Sequence, residues 1–357
     1  MTWETLKYTK LEINNSGKVL IKKTSSDEEK IQALEILDNW RAAHSYPMHI
    51  FQMRLKNKSQ NVDNNYLTAQ RLKRVPAILF KLKRSYDGHK PSMKLYQMQD
   101  IGGCRAILSN ISKARKLFED YYLKGDLKHK RVKTNDYITK PKKDGYRSIH
   151  VVYEYKSDKN KKEFNGLLVE VQIRSKLQHL WATANEIIEL FTGQAIKTTD
   201  EQNEWKDFLK LVSSAFAKME NCPHVEGTPP DEKELYAEIK KKETELNVIK
   251  IMTGWTTAIE VFKKTYKPLK TKAKPNFFLL ELDIAGDKLN IMSYTKQHEG
   301  KAIEDYAKAE KRIEGKKGYD VVLVGVENMA DLEKAYPNYF VDTKDFLNYL
   351  EKIIKKY

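Results

Sequence analysis

The chain has 357 residues, of which 40% are hydrophobic and 32% are charged, a composition typical of a soluble globular protein with two or three domains. No apolar run approaches the roughly 20 residues of a membrane-spanning helix, and residues 1–10 are too polar to contain a signal-peptide core. Cys104 and Cys222 are the only cysteines, which excludes a disulfide framework and a cysteine-rich zinc site. We therefore expect a cytoplasmic protein.

Positive charge is concentrated in one part of the chain. The formal net charge is +16, and residues 51–150 alone hold 24 Lys and Arg against 8 Asp and Glu, a net charge of +16. The positive and negative charges of the remaining residues therefore cancel. Localised positive charge favours a polyanionic partner such as a nucleoside polyphosphate, an RNA or an acidic membrane surface. A solvated lysine-rich face is the alternative interpretation, and charge alone does not choose between them.

The first predicted elements are a hairpin and two helices. A weak apolar alternation predicts a short hairpin around residues 15–17. Residues 25–27 give a helix N-cap signal, and apolar residues then repeat at helical spacing until Pro47. Residues 48–70 are polar and carry no predicted element. Pro76 fits a first helical turn, which predicts a helix over residues 77–84.

A mixed block of strands and helices follows, and then a helical segment and a small C-terminal unit. The predicted strands cover residues 101–108, 148–155, 166–174, 277–284, 288–294 and 319–326. The predicted helices cover residues 113–122, 177–191, 201–221, 231–267 and 300–313, with two more near residues 330 and 346. This order predicts an α/β (α+β) fold with a mixed block of strands and helices, a helical linker and a small C-terminal α+β domain. The expected domains are residues 1–195, 196–270 and 271–357.

Two acidic residues on separate predicted strands form the first candidate site. Side chains alternate across a strand, so Glu170, Gln172 and Arg174 share the face opposite to three β-branched residues. Asp100 directly precedes the strand over residues 101–108. An Asp and a Glu on neighbouring strands suit Mg²⁺, which takes oxygen ligands and retains waters for phosphate groups. A half-exposed amphipathic strand and a turn aspartate are the alternative interpretations.

The loop over residues 136–150 is a second candidate site. Its aromatic residue Tyr146 offers a ring for base stacking. The cations available there for phosphates are Lys140, Lys142, Lys143 and Arg147. A solvated lysine-rich hairpin is the alternative interpretation.

A third candidate site lies upstream, on the predicted helix over residues 77–84. Lys81 and Arg84 share one face of this helix, and Arg71 and Lys73 precede it. The four cations can therefore converge on one phosphate chain, and arginine also stacks on adenine as a planar cation. An amphipathic helix with an ordinary basic face is the alternative interpretation.

In this order and spacing the motifs resemble the synthetase domain of the RelA/SpoT family, the (p)ppGpp synthetases, over about residues 30–190. The matching residues are Arg71, Lys73, Lys81, Arg84, Gln99–Ile101, Gly103, Arg105, Asp136–His150, Glu170–Arg174, His179–Ala182 and Glu186. The resemblance implies a nucleotidyltransferase-like mixed sheet flanked by helices. It also implies an enzyme that transfers the β,γ-pyrophosphate of ATP to a 3′-hydroxyl of an acceptor nucleotide with Mg²⁺.

The resemblance further implies a role for each matching residue. Asp100 holds Mg²⁺, and Glu170 either shares the metal or takes the proton of the hydroxyl. Tyr146 stacks on the acceptor base. The expected ATP-binding residues are Arg71, Lys73, Lys81, Arg84 and Arg105. The other expected acceptor-binding residues are Lys142, His150, Gln172 and Arg174.

The acceptor loop departs from the family's metabolic members, which usually read Asn-Pro-Lys-x-Asn-Gly-Tyr. Here Asp144 replaces an amide, and Lys140 and Lys143 add cations. These differences disfavour GDP or GTP as the acceptor and suit a longer, more negative acceptor.

The residues 40–47 and 336–340 are similar to the fused toxin–antitoxin branch of the family (CapRel type). This resemblance implies pyrophosphorylation of the tRNA 3′-CCA end, which stops translation, and a C-terminal domain that restrains the enzyme until a phage protein engages it. The alternatives are a small alarmone synthetase that makes (p)ppGpp from ATP and GDP or GTP, and a catalytically inactive RNA-binding protein. In the last helix, an apolar stripe either covers the ATP pocket or packs on its own small sheet. The stripe consists of Phe346, Tyr349, Leu350 and Ile353.

Overall fold

The N-terminal part of the chain is mainly helical. The structure is a computed structural model that describes residues 3–84, 93–125, 127–192, 204–253, 277–283, 288–313, 316, 319–325 and 343–356. Its first elements are α1 (Lys10–Ile21), α2 (Asp27–Ala43), α3 (Ser45–Val62), β1 (Leu67–Leu72) and α4 (Val75–Lys83). Residues 48–70, which carried no prediction, therefore form most of α3 and the start of β1.

Local capping explains why α1 forms where a hairpin was predicted. The Thr9 hydroxyl accepts the amide N–H of Glu12 at 3.3 Å, and the Glu12 carboxylate accepts the amide N–H of Thr9 at 2.7 Å. This capping box outweighs the weak apolar alternation, so the hairpin prediction is wrong. Gly17 is buried within α1, where an added Cβ atom would lie 2.9 Å from Cβ of Leu95. The glycine therefore permits a close approach and does not mark a turn.

A single mixed sheet organises the described part of the chain. Its strand order is β3-β4-β5-β2-β1-β8-β6-β7, and β2 and β5 are parallel while the other paired strands are antiparallel. The remaining strands are β2 (Gly102–Leu108), β3 (Lys130–Asp136), β4 (Ile149–Glu154), β5 (Leu168–Ser175), β6 (Phe277–Asp283), β7 (Lys288–Tyr294) and β8 (Tyr319–Gly325). The remaining helices are α5 (Ile111–Phe118), α6 (Lys176–Thr192), α7 (Glu204–Met219), α8 (Glu232–Leu246), α9 (Glu299–Ile313) and α10 (Lys344–Lys356). The predicted fold class, a mixed sheet flanked by helices, is confirmed.

The sheet continues from the N-terminal strands into the C-terminal strands. β8 pairs with β1 through Gln70 opposite Gly325 and Arg71 opposite Val324. The division into residues 1–195, 196–270 and 271–357 stays a prediction, because both proposed boundaries lie outside the described residues. Within the described ranges, no helix is both long and apolar enough to cross a bilayer.

Helix α10 packs on the helical segment that precedes the C-terminal strands. Its buried Phe346, Leu350 and Ile353 belong to one apolar cluster with residues of α6, α7 and α8. The ring centroids of Phe216 on α7 and Tyr349 lie 5.8 Å apart. The expectation that this stripe packs on its own small sheet is therefore wrong, since helices α6 to α8 provide its neighbours, and coverage of the ATP pocket stays a prediction.

Candidate active site

The parallel pair β2 and β5 brings the two predicted carboxylates to one part of the sheet. Gly103 on β2 lies opposite Glu170 on β5, and Asp100 ends the segment that leads into β2. The predicted alternation is confirmed, because Val169, Val171 and Ile173 are fully buried on the other face of β5. The Asp100 charge acts to raise the pKa of Glu170, so the two carboxylates lie within each other's electrostatic field.

Asp100 is held by the two lysines predicted to bind ATP, the donor of the pyrophosphate. Lys73 Nζ donates to Oδ2 at 2.9 Å, and Lys81 Nζ donates to Oδ1 at 3.0 Å. Burial raises the pKa of Asp100, but the two ammonium groups outweigh burial and lower it to about 2. Asp100 is therefore ionised at neutral pH, and β1 and α4 deliver their cations to the same carboxylate.

Glu170 is oriented by neighbours from β4 and β5. His150 Nδ1 lies 2.9 Å from Oε1, and the Gln172 side-chain amide donates to Oε2 at 2.6 Å. Burial raises the pKa of Glu170, while His150 and Gln172 lower it further than burial raises it. The result is a second ionised carboxylate with both oxygens positioned.

These contacts belong to a closed ring of hydrogen bonds among five residues. Each of them was predicted either to bind the acceptor nucleotide or to act in catalysis. Arg174 Nη2 donates to Tyr146 Oη at 2.6 Å and to Gln172 Oε1 at 3.1 Å. Tyr146 Oη also lies 2.7 Å from His150 Nε2. The ring therefore runs from Arg174 through Tyr146, His150, Glu170 and Gln172 back to Arg174. Such a ring fixes the side-chain positions before substrate arrives.

The positive charges around Tyr146 perturb its hydroxyl group. Burial acts to raise its pKa, but the positive charges of Arg174, His150 and Lys142 outweigh it and lower the pKa to about 7. Lys142 Nζ lies 4.8 Å from the centroid of the Tyr146 ring and 4.6 Å from that of Tyr137. Tyr137 was not predicted as a site residue, although it stands in the quoted 136–150 motif.

Arg147 and Asp144 in the acceptor loop make contacts within the protein. Arg147 is buried and donates to Ser213 Oγ at 3.1 Å and to the carbonyl of Pro223 at 2.6 Å. Its prediction as a phosphate ligand is therefore wrong. Asp144 Oδ1 accepts the amide N–H of Tyr146 at 2.9 Å, which fixes the turn before Tyr146.

Two of the three predicted ATP-binding arginines lie on the sheet face that carries Glu170. Arg71 on β1 and Gly103 on β2 are register partners, and Arg105 on β2 is the register partner of Gln172 on β5. Register partners point to the same face of a sheet, so Arg71 and Arg105 lie on the Glu170 face. Arg84 is the C-cap residue of α4, directly beyond the turn that carries Lys81.

The carboxylate pair fits a divalent cation that keeps most of its ligands outside the protein. No group of three or more His, Cys, Asp or Glu converges on a metal position in the described residues. Asp100 and Glu170 nevertheless provide two ionised carboxylates, and Mg²⁺ binds through one or two carboxylates together with waters and substrate phosphates. The donor set therefore fits Mg²⁺, whose binding stays a prediction.

Residues 70–188 match the family model described as the region found in RelA / SpoT proteins. This range contains every residue predicted for catalysis, ATP binding or acceptor binding. This part of the chain is therefore similar to the RelA/SpoT region.

Two GTP pyrophosphokinases are similar to part of the chain. "GTP pyrophosphokinase YjbM" of Bacillus subtilis is 34% identical over 113 residues, which are 32% of this chain and 51% of that protein. "GTP pyrophosphokinase YwaC" of the same organism is 31% identical over 140 residues, 38% of this chain and 65% of that protein. The chain thus spans about half to two thirds of the length of these relatives.

Two solved structures were similar as well. Small alarmone synthetase 1 from Bacillus subtilis bound to its product pppGpp has a TM-score of 0.42 at 23% identity, with 50% of this chain and 90% of that chain covered. Small alarmone synthetase 2 from Bacillus subtilis has a TM-score of 0.41 at 25% identity, with 51% of this chain and 93% of that chain covered.

Proposed function

We propose that the protein is a pyrophosphokinase, which transfers the β,γ-pyrophosphate of ATP to the 3′-hydroxyl of an acceptor nucleotide. The observation that carries this proposal is the pair of ionised carboxylates, Asp100 and Glu170, with Lys73 and Lys81 converging on the first of them. Pyrophosphoryl transfer needs alignment and charge neutralisation more than covalent participation of the protein. The names of the curated relatives support the same reaction.

When ATP, the pyrophosphate donor, binds, the lysines that neutralise Asp100 would contact the ATP phosphates instead. Asp100 and Glu170 would then hold Mg²⁺, which neutralises charge on the phosphate oxygens. Lys73 directly follows β1 and Lys81 lies on α4, so together they would fix the position of a triphosphate chain. Arg71 lies on the same sheet face for the adenine and phosphates.

On the acceptor side, Glu170 is suited to receive the proton of the attacking hydroxyl. A general base must be ionised and oriented, and His150 and Gln172 provide both conditions. The same carboxylate is also suited to share the metal, and the two roles stay open. Tyr146 presents its ring for the acceptor base, with its hydroxyl anchored by Arg174.

We propose the 3′-CCA end of tRNA as the acceptor, so that the product cannot support translation. The excess positive charge of residues 51–150 supports a polyanionic acceptor, because phosphate contacts supply most sequence-independent affinity for RNA. Lys140, Lys142 and Lys143 lie next to Tyr146 in the acceptor loop and are available for such contacts.

We also propose that the C-terminal unit restrains the enzyme as a fused antitoxin until a phage protein engages it. Strand β8 of the C-terminal unit pairs with β1, the strand that carries Arg71 and precedes Lys73, and this pairing supports a direct route by which the C-terminal unit would control the enzyme.

A guanosine nucleotide is the second candidate acceptor, and the names of the relatives favour it. In that case the product would be (p)ppGpp or a related alarmone. The Asp144 side chain that replaces the family's usual amide is engaged with the Tyr146 amide and so carries no argument against guanine by itself.

One experiment tests the reaction and the acceptor together. The purified protein is incubated with γ-labelled ATP and Mg²⁺, in parallel with tRNA, tRNA lacking its 3′-CCA, GDP and GTP, each with and without a phage lysate. Label in intact tRNA alone supports the first proposal, and label in guanosine nucleotides alone supports the second. Absence of transfer in every mixture would contradict both and favour the catalytically inactive RNA-binding protein.

A further inference from the structure

A buried ion pair connects the C-terminal unit to the backbone that carries the donor-side cations. Glu310 on α9 and Arg41 on α2 are both almost fully buried, and Arg41 Nη1 lies 2.8 Å from Glu310 Oε2. Arg41 also lies over the ring of Tyr306 on α9, 4.8 Å from its centroid. The two residues are distant in sequence and join elements at opposite ends of the chain.

Each partner of this pair also holds one backbone group beside Arg74. The Glu310 carboxylate accepts the amide N–H of Val75, the first residue of α4, at 2.7 Å. Arg41 Nε donates to the carbonyl of Lys73 at 3.0 Å. Since Arg74 gives α4 no side-chain cap, Glu310 satisfies one of the unpaired amides of the first turn from another part of the chain.

The backbone held in this way determines where two functional ammonium groups lie. Lys73 precedes the held peptide and Lys81 follows it on α4, and both side chains reach Asp100. A change in the angle between the end of β1 and the start of α4 would move the two cations apart. The sequence alone gives no signal for this, because nothing in the α9 segment distinguishes Glu310 from the other acidic residues of that helix.

We infer that Arg41 and Glu310 are positioning residues, through which α9 sets the geometry of the ATP-binding cations Lys73 and Lys81. This inference rests on the proposed function, because it concerns the affinity for ATP. It assigns to the C-terminal unit a direct part in building the donor site. It also gives a physical path by which a partner that displaces α9 would change ATP binding.

The test compares variants of the full chain by their affinity for ATP. In the double variant Arg41→Met with Glu310→Met, both tethers to the backbone are lost, while replacement of both partners of a buried ion pair by apolar residues commonly leaves a protein folded. Asp38, which also pairs with Arg41 at 3.0 Å, is partly exposed and stays in contact with solvent in this variant. Glu310→Gln is the second variant, because it keeps one oxygen acceptor for the Val75 amide while it removes the negative charge and places an N–H donor beside Arg41. Glu281→Gln is the matched control, because Glu281 pairs with Arg312 at 2.8 Å on the surface of the same unit.

The readouts are the Kd of α,β-methylene ATP and the separate KM values for ATP and acceptor. We expect about a tenfold rise in the Kd and in KM for ATP in the double variant and a smaller rise in Glu310→Gln. We expect kcat and the acceptor KM to stay near their wild-type values, and Glu281→Gln to match wild type throughout. Folded variants that bind the analogue as wild type does, or that lose acceptor affinity equally, would overturn the inference. If wild-type protein itself does not bind the analogue, the proposed function fails, and the inference fails with it.

Discussion

Replacement of Asp100 by Asn is the most direct test of the proposed site, because it removes one charge and preserves the shape of the side chain. The pKa of Asp100 falls from 3.8 to about 2 in the folded protein, which corresponds to about 2 kcal/mol of favourable interaction with its neighbours. Because the folded-state pKa is lowered, this stability is present above about pH 4 and is lost as the pH falls through about 2. At neutral pH the Asp100→Asn variant should therefore be modestly less stable than wild type.

The expected effect on catalysis is much larger than the effect on stability. The variant loses one expected Mg²⁺ ligand and leaves Lys73 and Lys81 without their shared anion. If the lost charge stabilisation in the transition state is about 4 kcal/mol, kcat falls about a thousandfold. Initial rates of label transfer from γ-labelled ATP measure this change, and thermal unfolding measures stability in the same samples.

Asp63→Asn is the matched control for Asp100→Asn, because it makes the same substitution at an aspartate with a structural role. Asp63 also has its pKa lowered to about 2, and it accepts the Ser109 amide at 2.6 Å and Lys113 Nζ at 2.8 Å. Ser109 follows the end of β2 and Asp100 precedes its start, so the two aspartates lie more than about 20 Å apart. We expect comparable thermal destabilisation in both variants and loss of transfer in Asp100→Asn only. Near-normal transfer by Asp100→Asn, or an equal loss in Asp63→Asn, would refute the assignment.

Three further predictions concern individual side chains of the site. Glu170→Gln should lower kcat at least about a hundredfold with little change in the Kd of an ATP analogue, and rapid label transfer by this variant would contradict a role in proton removal or metal binding. Lys81→Met should raise KM for ATP about tenfold, whereas Lys83→Met, at an exposed position of the same helix, should not; equal effects would contradict a specific phosphate contact. Ultraviolet difference spectra should show one tyrosinate titrating near pH 7 in wild type and none in Tyr146→Phe. Because the pKa of Tyr146 is lowered, wild type should also gain stability relative to this variant as the pH rises from about 7 to 10, and identical titrations would exclude the assignment.

Local sequence patterns were sufficient to predict the face of β5 that carries the site. The alternation of Glu170, Gln172 and Arg174 with β-branched residues is a property of six consecutive residues, and the structure follows it. The same holds for Asp100: the strand over residues 101–108 was predicted from its own sequence, and this prediction placed Asp100 directly before β2. Where the pattern was weak, prediction failed: α1 depends on the reciprocal cap between Thr9 and Glu12, which a count of apolar alternation does not include.

Contacts between distant segments could not be predicted, because they depend on strand register and helix packing. The hydrogen bond from Arg174 to Tyr146 requires β4 and β5 to pair in one register, with Ile149 opposite Ile173. Arg147 looks like its basic neighbours in the sequence, yet α7 covers it and Ser213 engages its guanidinium. Strand β3 was not predicted, since it is an edge strand whose side chains are mostly exposed and therefore carry no apolar alternation.

The C-terminal part of the chain meets the proposed donor and acceptor sides at different places, and this constrains how it can regulate the enzyme. Helix α9 contacts the backbone around Lys73 through Glu310, whereas α10 contributes to the apolar cluster of α6 to α8 on which Tyr146 packs. Removal of α9 contacts should therefore act on KM for ATP, and removal of α10 contacts should act on KM for the acceptor. A phage protein that bound α10 alone would change acceptor use without changing ATP affinity. Measurement of both KM values with and without such a trigger would show which of the two contacts it releases.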